Sequence, residues 1–115
     1  MAWITEFYTD ERGRAPVEEF FDTVPDKEFA SIQRTLGLLE EFGLQLGSPH
    51  VRHLEGKLWE LRVKTRGKAY RILYFAYTGQ CFILLHAFLK KTKKTPRAEL
   101  RIAQARLVDF LEREG

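Results

Sequence analysis

Three strand-like segments follow one another between Leu58 and Lys94, and they restrict the possible folds of this chain more than any other feature. Apolar and charged residues alternate from Trp59 to Lys64, which predicts a half-buried strand. Two further strands are predicted over Ala69–Tyr77 and Cys81–Leu89, with short turn sequences between the segments. Consecutive strands joined by short turns pair as hairpins, so the sequence predicts a small antiparallel sheet.

The first 43 residues contain one more strand and two helices. Trp3–Tyr8 is aromatic and β-branched, which favours an opening strand. A short helix is predicted over 16–24 because proline suits its first turn, and Pro25 ends it. A longer helix is predicted over Asp26–Phe42 from apolar residues at helical spacing, and Gly43 supplies the left-handed residue that commonly ends a helix.

The remaining segments are a connection and a closing helix. Leu44–Gly56 contains a Gly-Ser-Pro sequence and is predicted to be an irregular loop. Thr95 is predicted to cap the closing helix, with Pro96 at its first helical position. We therefore expect a single α+β domain over residues 1–115, in which helices cover one face of the sheet and the opposite face serves function.

Charge is distributed unevenly along the chain. The window from Lys57 to Arg101 holds twelve Lys and Arg residues against Glu60 and Glu99, a net charge of +10. The whole chain is only +3, so the remainder carries −7. A basic face on a small, otherwise acidic chain indicates a partner that is a polyanion, and nucleic acid is the commonest one.

Composition and the N-terminal stretch indicate a cytoplasmic protein. With 115 residues, of which 44% are hydrophobic, the chain can bury one modest core. Its single cysteine, Cys81, excludes an internal disulfide and is expected to be a buried small side chain. Acidic residues occupy the N-terminal stretch where a signal peptide would be basic and then apolar, and no run is long enough to cross a bilayer.

The predicted sheet brings together cations that are distant in sequence and suits RNA cleavage. Arg and Lys side chains bind phosphate and stabilise the negative charge of a phosphoryl transition state. RNA supplies its own nucleophile, the 2′-hydroxyl, so cleavage requires no metal ion. His86 has the intrinsic pKa best suited to proton transfer near neutrality, and a lysine crowded by cations would have a lowered pKa.

Each of these assignments has a structural alternative. Arg71 is either functional or paired with Glu60 across the hairpin. His86 is either catalytic or packed on the face that it is predicted to share with Phe82, Leu84, Phe88 and Lys90. The lysines that follow the last strand are either an anion site or a solvated turn. The strand tyrosines and Trp59 are either platforms for base stacking or core residues.

Three stretches of the sequence resemble the phage-derived HigB-type branch of the RelE toxin superfamily. These stretches are Leu58–Arg62, Tyr70–Tyr74, and Leu84–Thr92 followed by Lys94–Pro96. The resemblance implies a RelE/microbial-ribonuclease-like fold and membership of a type II toxin-antitoxin pair. It also implies cleavage of mRNA in the ribosomal A site and neutralisation by a helix-turn-helix antitoxin.

The resemblance also assigns individual residues. Arg62 and Lys64 match the basic strand positions around the scissile phosphate, Arg71 matches the arginine of a Tyr-Arg pair, and Lys90 or Lys91 matches a basic pair after the last strand. The chain departs from the best-known member because the segment 96–105 has no tyrosine to stack on the substrate base. The general base and general acid are left open between Lys64, His86, Arg71 and Lys91.

We therefore predict a ribosome-dependent mRNA endonuclease toxin that needs no metal or other cofactor. Its predicted catalytic residues are Arg62, Lys64, Arg71, His86, Lys90 and Lys91, and its predicted RNA-binding residues are Arg66, Lys68, Lys93, Lys94 and Arg97. The predicted partners are a HigA-type antitoxin, mRNA and the ribosome, with operator DNA bound only through the antitoxin and no membrane contact. The alternatives are a ParE-like gyrase poison on the same fold and a non-catalytic nucleic-acid-binding remnant.

Overall fold

The three predicted strands form the centre of a five-stranded sheet. A computed structural model describes residues 2–114; Met1 and Gly115, the two ends of the predicted domain, lie outside the described residues. The strands are β1 (Ile4–Phe7), β2 (Val51–Glu55), β3 (Leu58–Thr65), β4 (Lys68–Tyr77) and β5 (Cys81–Leu89). Their order in the sheet is β1-β5-β4-β3-β2; β1 runs parallel to β5 and every other pair is antiparallel.

Three α-helices accompany the sheet: α1 (Pro16–Phe21), α2 (Asp26–Phe42) and α3 (Arg97–Glu114). The predicted bounds of α2 are confirmed, and Gly43 at its end has the expected positive φ of 58°. The prediction that Pro96 is the first helical residue is wrong, because α3 begins at Arg97. The Thr95 hydroxyl, predicted to cap that helix, instead donates a hydrogen bond to the Glu60 carboxylate.

The prediction of an irregular loop over Leu44–Gly56 is wrong in its second half. Residues Val51–Glu55 form β2, which pairs with β3 and is an edge of the sheet. A tight turn follows β2, where Gly56 has a positive φ of 54°. The strand is short and largely exposed, so it lacks the run of buried apolar residues by which the longer strands were recognised.

Helices cover both faces of the sheet, which corrects the prediction that they lie on one face. On one face, α1 and α2 bury an apolar cluster that includes Val17, Phe21, Ile32, Leu39, Leu61, Ile72, Phe82 and Leu84. On the other face, α3 packs on a second cluster that includes Leu58, Leu73, Phe75, Ile83, Leu85, Ala103 and Leu107. Because α3 contacts β4 and β5, the open part of this second face lies over β3 and β2.

A β-bulge in β5 determines which way His86 points. Leu73 of β4 pairs with His86, whereas the next residue, Tyr74, pairs with Leu84, so Leu85 is an extra residue in β5. Side chains alternate between the two faces of a strand, and one inserted residue reverses that alternation. His86 therefore faces α3 together with Leu73 and, as predicted, Phe88. The prediction that Phe82 and Leu84 share this face is wrong, because both lie on the side of α1 and α2.

The predicted fold class is confirmed: residues 2–114 form one compact α+β domain with a mainly antiparallel sheet flanked by helices. Within these residues, no helix is both long and apolar enough to cross a membrane.

One glycine lies within α2 and another directly follows it. Substitution by alanine should change the free energy of unfolding in opposite directions at these two positions. A Cβ atom at Gly37, in mid-helix, meets nothing within 4 Å, whereas one at Gly43 runs into the indole of Trp3. Trp3 is held in place by stacking on Phe82, with ring centroids 4.4 Å apart. We expect Gly37→Ala to raise the free energy of unfolding by about 0.5–1 kcal/mol. We expect Gly43→Ala to lower it by about 1–3 kcal/mol, since it also strains a positive φ.

Urea denaturation of the two variants beside the wild type measures both changes. Equal shifts of the same sign would contradict the packing described around Gly43.

Candidate nucleic-acid interface

Strand alternation and strand pairing place several predicted site residues on the open part of the α3 side. Arg62 of β3 lies directly opposite Arg71 of β4, and Lys64 lies opposite Ala69. The Ala69 carbonyl accepts a hydrogen bond of 2.7 Å from the Lys90 backbone N–H, which places Lys90 beside the same row. We call Arg52, Arg62, Lys64, Arg71 and Lys90 the cationic face.

Glu60 is the buried counter-charge of the cationic face. Its side chain is only 1% exposed, although it lies in the midst of these cations. Its Oε1 atom is 3.4 Å from Nε of Arg62 and 3.5 Å from Nε of Arg71. Its Oε2 atom accepts the hydrogen bond from Thr95 at the approach to α3. One carboxylate therefore positions two arginines and fixes the segment that leads into α3.

Arg71 is buried, and its guanidinium is incompletely paired. Its side chain is 5% exposed, and Nη1 donates a hydrogen bond of 3.3 Å to the Tyr70 carbonyl. Nε lies within ion-pair distance of Glu60 but has no hydrogen-bond partner among residues 2–114. Burial lowers the pKa of Arg71; Glu60 opposes this effect and the nearby Arg62 adds to it. The structural pairing with Glu60 therefore exists, and the Nε atom that lacks a hydrogen bond is itself buried.

Lys90 has the property expected of a lysine among other cations. Partial burial lowers the pKa of its ammonium group, and the positive charges of Arg71, Arg62 and Arg52 lower it further, against the opposing effect of Glu60. A lysine with a lowered pKa releases a proton more readily than an ordinary one. The shift is in the direction expected of a lysine that takes part in proton transfer.

His86 lies between β5 and α3, and both of its ring nitrogens are engaged. Nε2 is 2.6 Å from the Glu99 carboxylate, and Nη1 of Arg106 is 3.3 Å from Nδ1. A guanidinium can only donate, so Nδ1 accepts, and a neutral ring protonated at Nε2 satisfies both contacts. Burial lowers the pKa of His86, and Glu99 opposes that shift. These contacts are those of a satisfied structural histidine.

Five of the other predicted residues lie either near the start of α3 or on the α2 side of the sheet. Lys94 and Arg97 line a groove with Arg52, between β2 and the start of α3, and Lys91 and Lys93 are exposed in the segment before it. Lys68 does not join the cationic face. It lies on the α2 side, with its ammonium 3.4 Å from the buried Glu28.

The remaining candidates are a turn arginine, the aromatic residues considered for base stacking, and the single cysteine. Arg66 is in the exposed turn between β3 and β4. Tyr70 and Tyr74 are buried under α1 and α2, and Trp59, although 38% exposed, is on that same side of the sheet. Cys81 is buried as predicted, and burial together with Glu6 raises the pKa of its thiol to about 12.

Three contributors to the interface were missed as site residues: Arg52, Glu60 and Thr95. Arg52 pairs across the sheet with Glu60 and therefore shares the cationic face. A signal for it was present in the sequence, because Glu55-Gly56-Lys57 is a plausible hairpin turn leading into β3. Glu60 was recognised only as a pairing partner, and nothing in the sequence indicated that Thr95 would bond to it.

Comparison with known proteins identifies related sequences. Residues 19–108 match the family of phage-derived Gp49-like proteins (DUF891). Similar proteins named "Probable endoribonuclease HigB1" occur in two strains of Mycobacterium tuberculosis, CDC 1551 and H37Rv. Each is 28% identical over 92 residues, which is 79% of this chain and 70% of the relative.

The pairing of Glu60 with Arg71 predicts a non-additive response to substitution. Arg71→Met should lower the free energy of unfolding by about 3–5 kcal/mol, because it leaves a buried carboxylate without its deepest cation. Adding Glu60→Leu should recover most of that loss, since a buried ion pair replaced by apolar residues of similar size is commonly neutral or better. A double-mutant cycle from urea denaturation measures the coupling.

Arg62→Ala is the matched control, because this arginine contacts the same carboxylate but is 29% exposed. It should lower the free energy of unfolding by less than about 1 kcal/mol. Additive losses for Arg71→Met and Glu60→Leu would show that the two side chains are not energetically paired.

The environment of His86 predicts how it titrates. Its pKa in the folded protein should lie below the ordinary value of 6.5. The unfolded chain then takes up the proton first as pH falls. The contribution of His86 to stability is present above about pH 6.5 and is lost as pH falls through its folded pKa. An NMR titration of the ring, assigned with His86→Gln, measures this value, and a midpoint above 6.5 would contradict the described burial.

Proposed function

The chain belongs to the phage-derived Gp49-like protein family, and we propose that it is the toxin of a type II toxin-antitoxin pair that cleaves mRNA on the ribosome. One observation carries the proposal: Arg62, Arg71 and Lys90 converge on one open face around a single buried carboxylate. The name of the similar mycobacterial proteins, probable endoribonuclease, supports the same activity.

The proposed reaction uses the chemistry of RNA itself. The 2′-hydroxyl gives its proton to solvent water and attacks the adjacent phosphorus, so that a 2′,3′-cyclic phosphate forms and the bond to the 5′-oxygen breaks. The protein must therefore stabilise negative charge and protonate the departing oxygen. Arg62 binds the phosphate oxygens, whose negative charge increases in the transition state, and the buried charge of Arg71 beside it adds to their stabilisation. Lys90 donates a proton to the departing 5′-oxygen, which its lowered pKa favours. No step in this scheme requires a metal ion.

The three cations differ in burial, and we assign them different roles on that basis. Arg71 is buried, so it contributes a fixed positive charge beneath the site, whereas Arg62 and Lys90 are only partly buried and can contact a ligand. His86 is outside this proposed scheme because Glu99 and Arg106 occupy its ring nitrogens. It supports the packing of α3 on the sheet.

The resemblance to HigB-type toxins extends the proposal to its partners. A cognate antitoxin with a helix-turn-helix neutralises the toxin and carries the binding to operator DNA. Toxin, antitoxin, mRNA and ribosome meet in the cytoplasm. Lysines of the segment 91–94 add electrostatic attraction for RNA, which brings the substrate to the cationic face.

The proposal predicts where cleavage occurs and which residues it needs. Purified, antitoxin-free protein is incubated with a defined mRNA, either free with EDTA or bound to programmed 70S ribosomes. We expect cuts in the ribosome-bound message. Arg62→Ala and Lys90→Ala should each lower the cleavage rate about 100-fold or more, the scale of losing one group that stabilises transition-state charge.

Arg34→Ala and Lys27→Ala are the matched controls, because each removes one exposed positive charge from α2 and leaves the cationic face intact. Wild-type rates in folded Arg62→Ala and Lys90→Ala would remove these residues from the mechanism. If folded wild-type protein cuts neither RNA sample, the endonuclease proposal fails. A gyrase supercoiling assay then tests the ParE-like alternative.

A further inference from the structure

We propose that the groove between β2 and the start of α3 is a second phosphate site, in which Arg52, Lys94 and Arg97 bind a nucleotide that flanks the scissile phosphate. This inference rests on the proposed function, since it concerns how the RNA strand continues beyond the cationic face. It assigns a role to Arg52, which was not among the residues predicted from the sequence to bind RNA.

The walls of the groove combine charge with a narrow apolar surface. β2 contributes Arg52 and Leu54, the segment before α3 contributes Lys94 and Thr95, and α3 itself contributes Arg97 and Leu100. Arg52, Lys94 and Arg97 therefore approach one open space from three separate elements. The N-terminal end of α3, an 18-residue helix, adds its positive dipole at the same place.

The three cations are not neutralised within the protein. Among residues 2–114, no carboxylate lies within 4 Å of the charged groups of Arg52, Lys94 or Arg97. Two other surface arginines are paired, Arg14 with Glu19 at 3.1 Å and Arg113 with Asp109 at 2.9 Å. Within residues 2–114 the exposed Arg12, Arg34, Arg66 and Arg101 also lack an ion pair, so what distinguishes the groove is that its three unpaired cations share one space. Unpaired like charges that face one space repel each other, and an anion bound between them would remove that repulsion.

The groove is continuous with the cationic face. Arg52 lies directly across from Glu60, and its charge is felt at both Arg71 and Lys90, whose pKa values it helps to lower. Thr95, which lines the groove, donates a hydrogen bond to Glu60 and so links the two sites. A strand whose scissile phosphate binds Arg62 can continue past Thr95 and place its next phosphate at Arg52.

An acidic residue limits where the flanking phosphate can bind. Glu55 also lines the groove, three residues beyond Arg52, which is about 10 Å along an extended strand. Its carboxylate repels a phosphate at that end. The flanking phosphate is therefore confined to the end that Arg52, Lys94 and Arg97 share, which gives the strand a definite path over the edge of the sheet.

The first measurement is the affinity of single-stranded RNA without ribosomes. Fluorescently labelled oligonucleotides with 2′-O-methyl groups cannot be cleaved, and their binding is titrated between about 50 and 200 mM salt, where phosphate contacts are most evident. Each lost contact to single-stranded RNA should reduce the slope of log K against log salt by about 0.7. We expect that reduction for Arg52→Ala and for Arg97→Ala.

The matched control, Arg34→Ala, removes the same charge from an exposed site on α2 and should leave the slope unchanged. All three arginines are exposed, so thermal melts followed by circular dichroism should confirm that the variants fold. An equal reduction of the slope by all three substitutions would show a general charge effect and would overturn the assignment of a site.

The second measurement tests the direction of the strand. Oligonucleotides are extended by several nucleotides from the same central sequence, on the 5′ side only or on the 3′ side only. A single flanking site predicts that Arg52→Ala and Arg97→Ala weaken binding of one series and not of the other. Equal weakening of both series would contradict a defined path through the groove.

The two proposals fail in distinguishable ways. If RNA binding responds to Arg62→Ala but not to Arg52→Ala or Arg97→Ala, the flanking site is overturned and the cleavage proposal stands. If the slopes change as expected but ribosome-bound mRNA is intact, the flanking site stands and the cleavage proposal falls. If only binding of a polyglutamate peptide depends on Arg52 and Arg97, the groove serves an acidic protein partner and the RNA assignment is overturned.

Discussion

The buried carboxylate of Glu60 is the interaction on which the arrangement of the cationic face depends. Arg71 lies in a central strand with almost no contact with water, where an unpaired guanidinium would carry a desolvation penalty of several kcal/mol. Glu60 offsets that penalty and contacts Arg62 on the strand next to it. Yet one negative charge cannot neutralise the five cations of this face. The protein therefore holds its positive charges in place while leaving most of their attraction for an external anion.

The two faces of the sheet have separate tasks. The face under α1 and α2 is completed by apolar packing, and the buried carboxylate of Glu28 is paired with Tyr70 and Lys68. On the other face, α3 covers β4 and β5 and leaves β3 and β2 open. The open area coincides with the alternate positions of β3 that carry charge. This coincidence explains how a chain with a net charge of only +3 presents a strongly basic surface.

Local sequence patterns predicted α2 and the three central strands. The presence of β2 and the orientation of His86 depend on contacts between elements, which local patterns do not show. The bounds of α2 and the positions of the three central strands follow from apolar periodicity and from proline and glycine at their ends. β2 was missed because its short, exposed sequence obtains its conformation from pairing with β3. The direction of His86 depends on a bulge that alternation alone cannot show. Residues Arg62, Arg71 and Lys90 were predictable as a group, whereas Arg52 was hidden by the missed strand.

The lysine-containing segment between β5 and α3 is tied down at both ends. Its first residue, Lys90, donates a backbone hydrogen bond to Ala69, and at its other end the side chain of Thr95 is bonded to Glu60. A segment anchored in this way has few conformations to lose when a ligand binds. Association with a polyanion should then be opposed less by conformational entropy than it would be for a free basic tail of the same charge. The segment is in this sense pre-organised, so its affinity for a polyanion depends on the fixed positions of the lysines as well as on their charge.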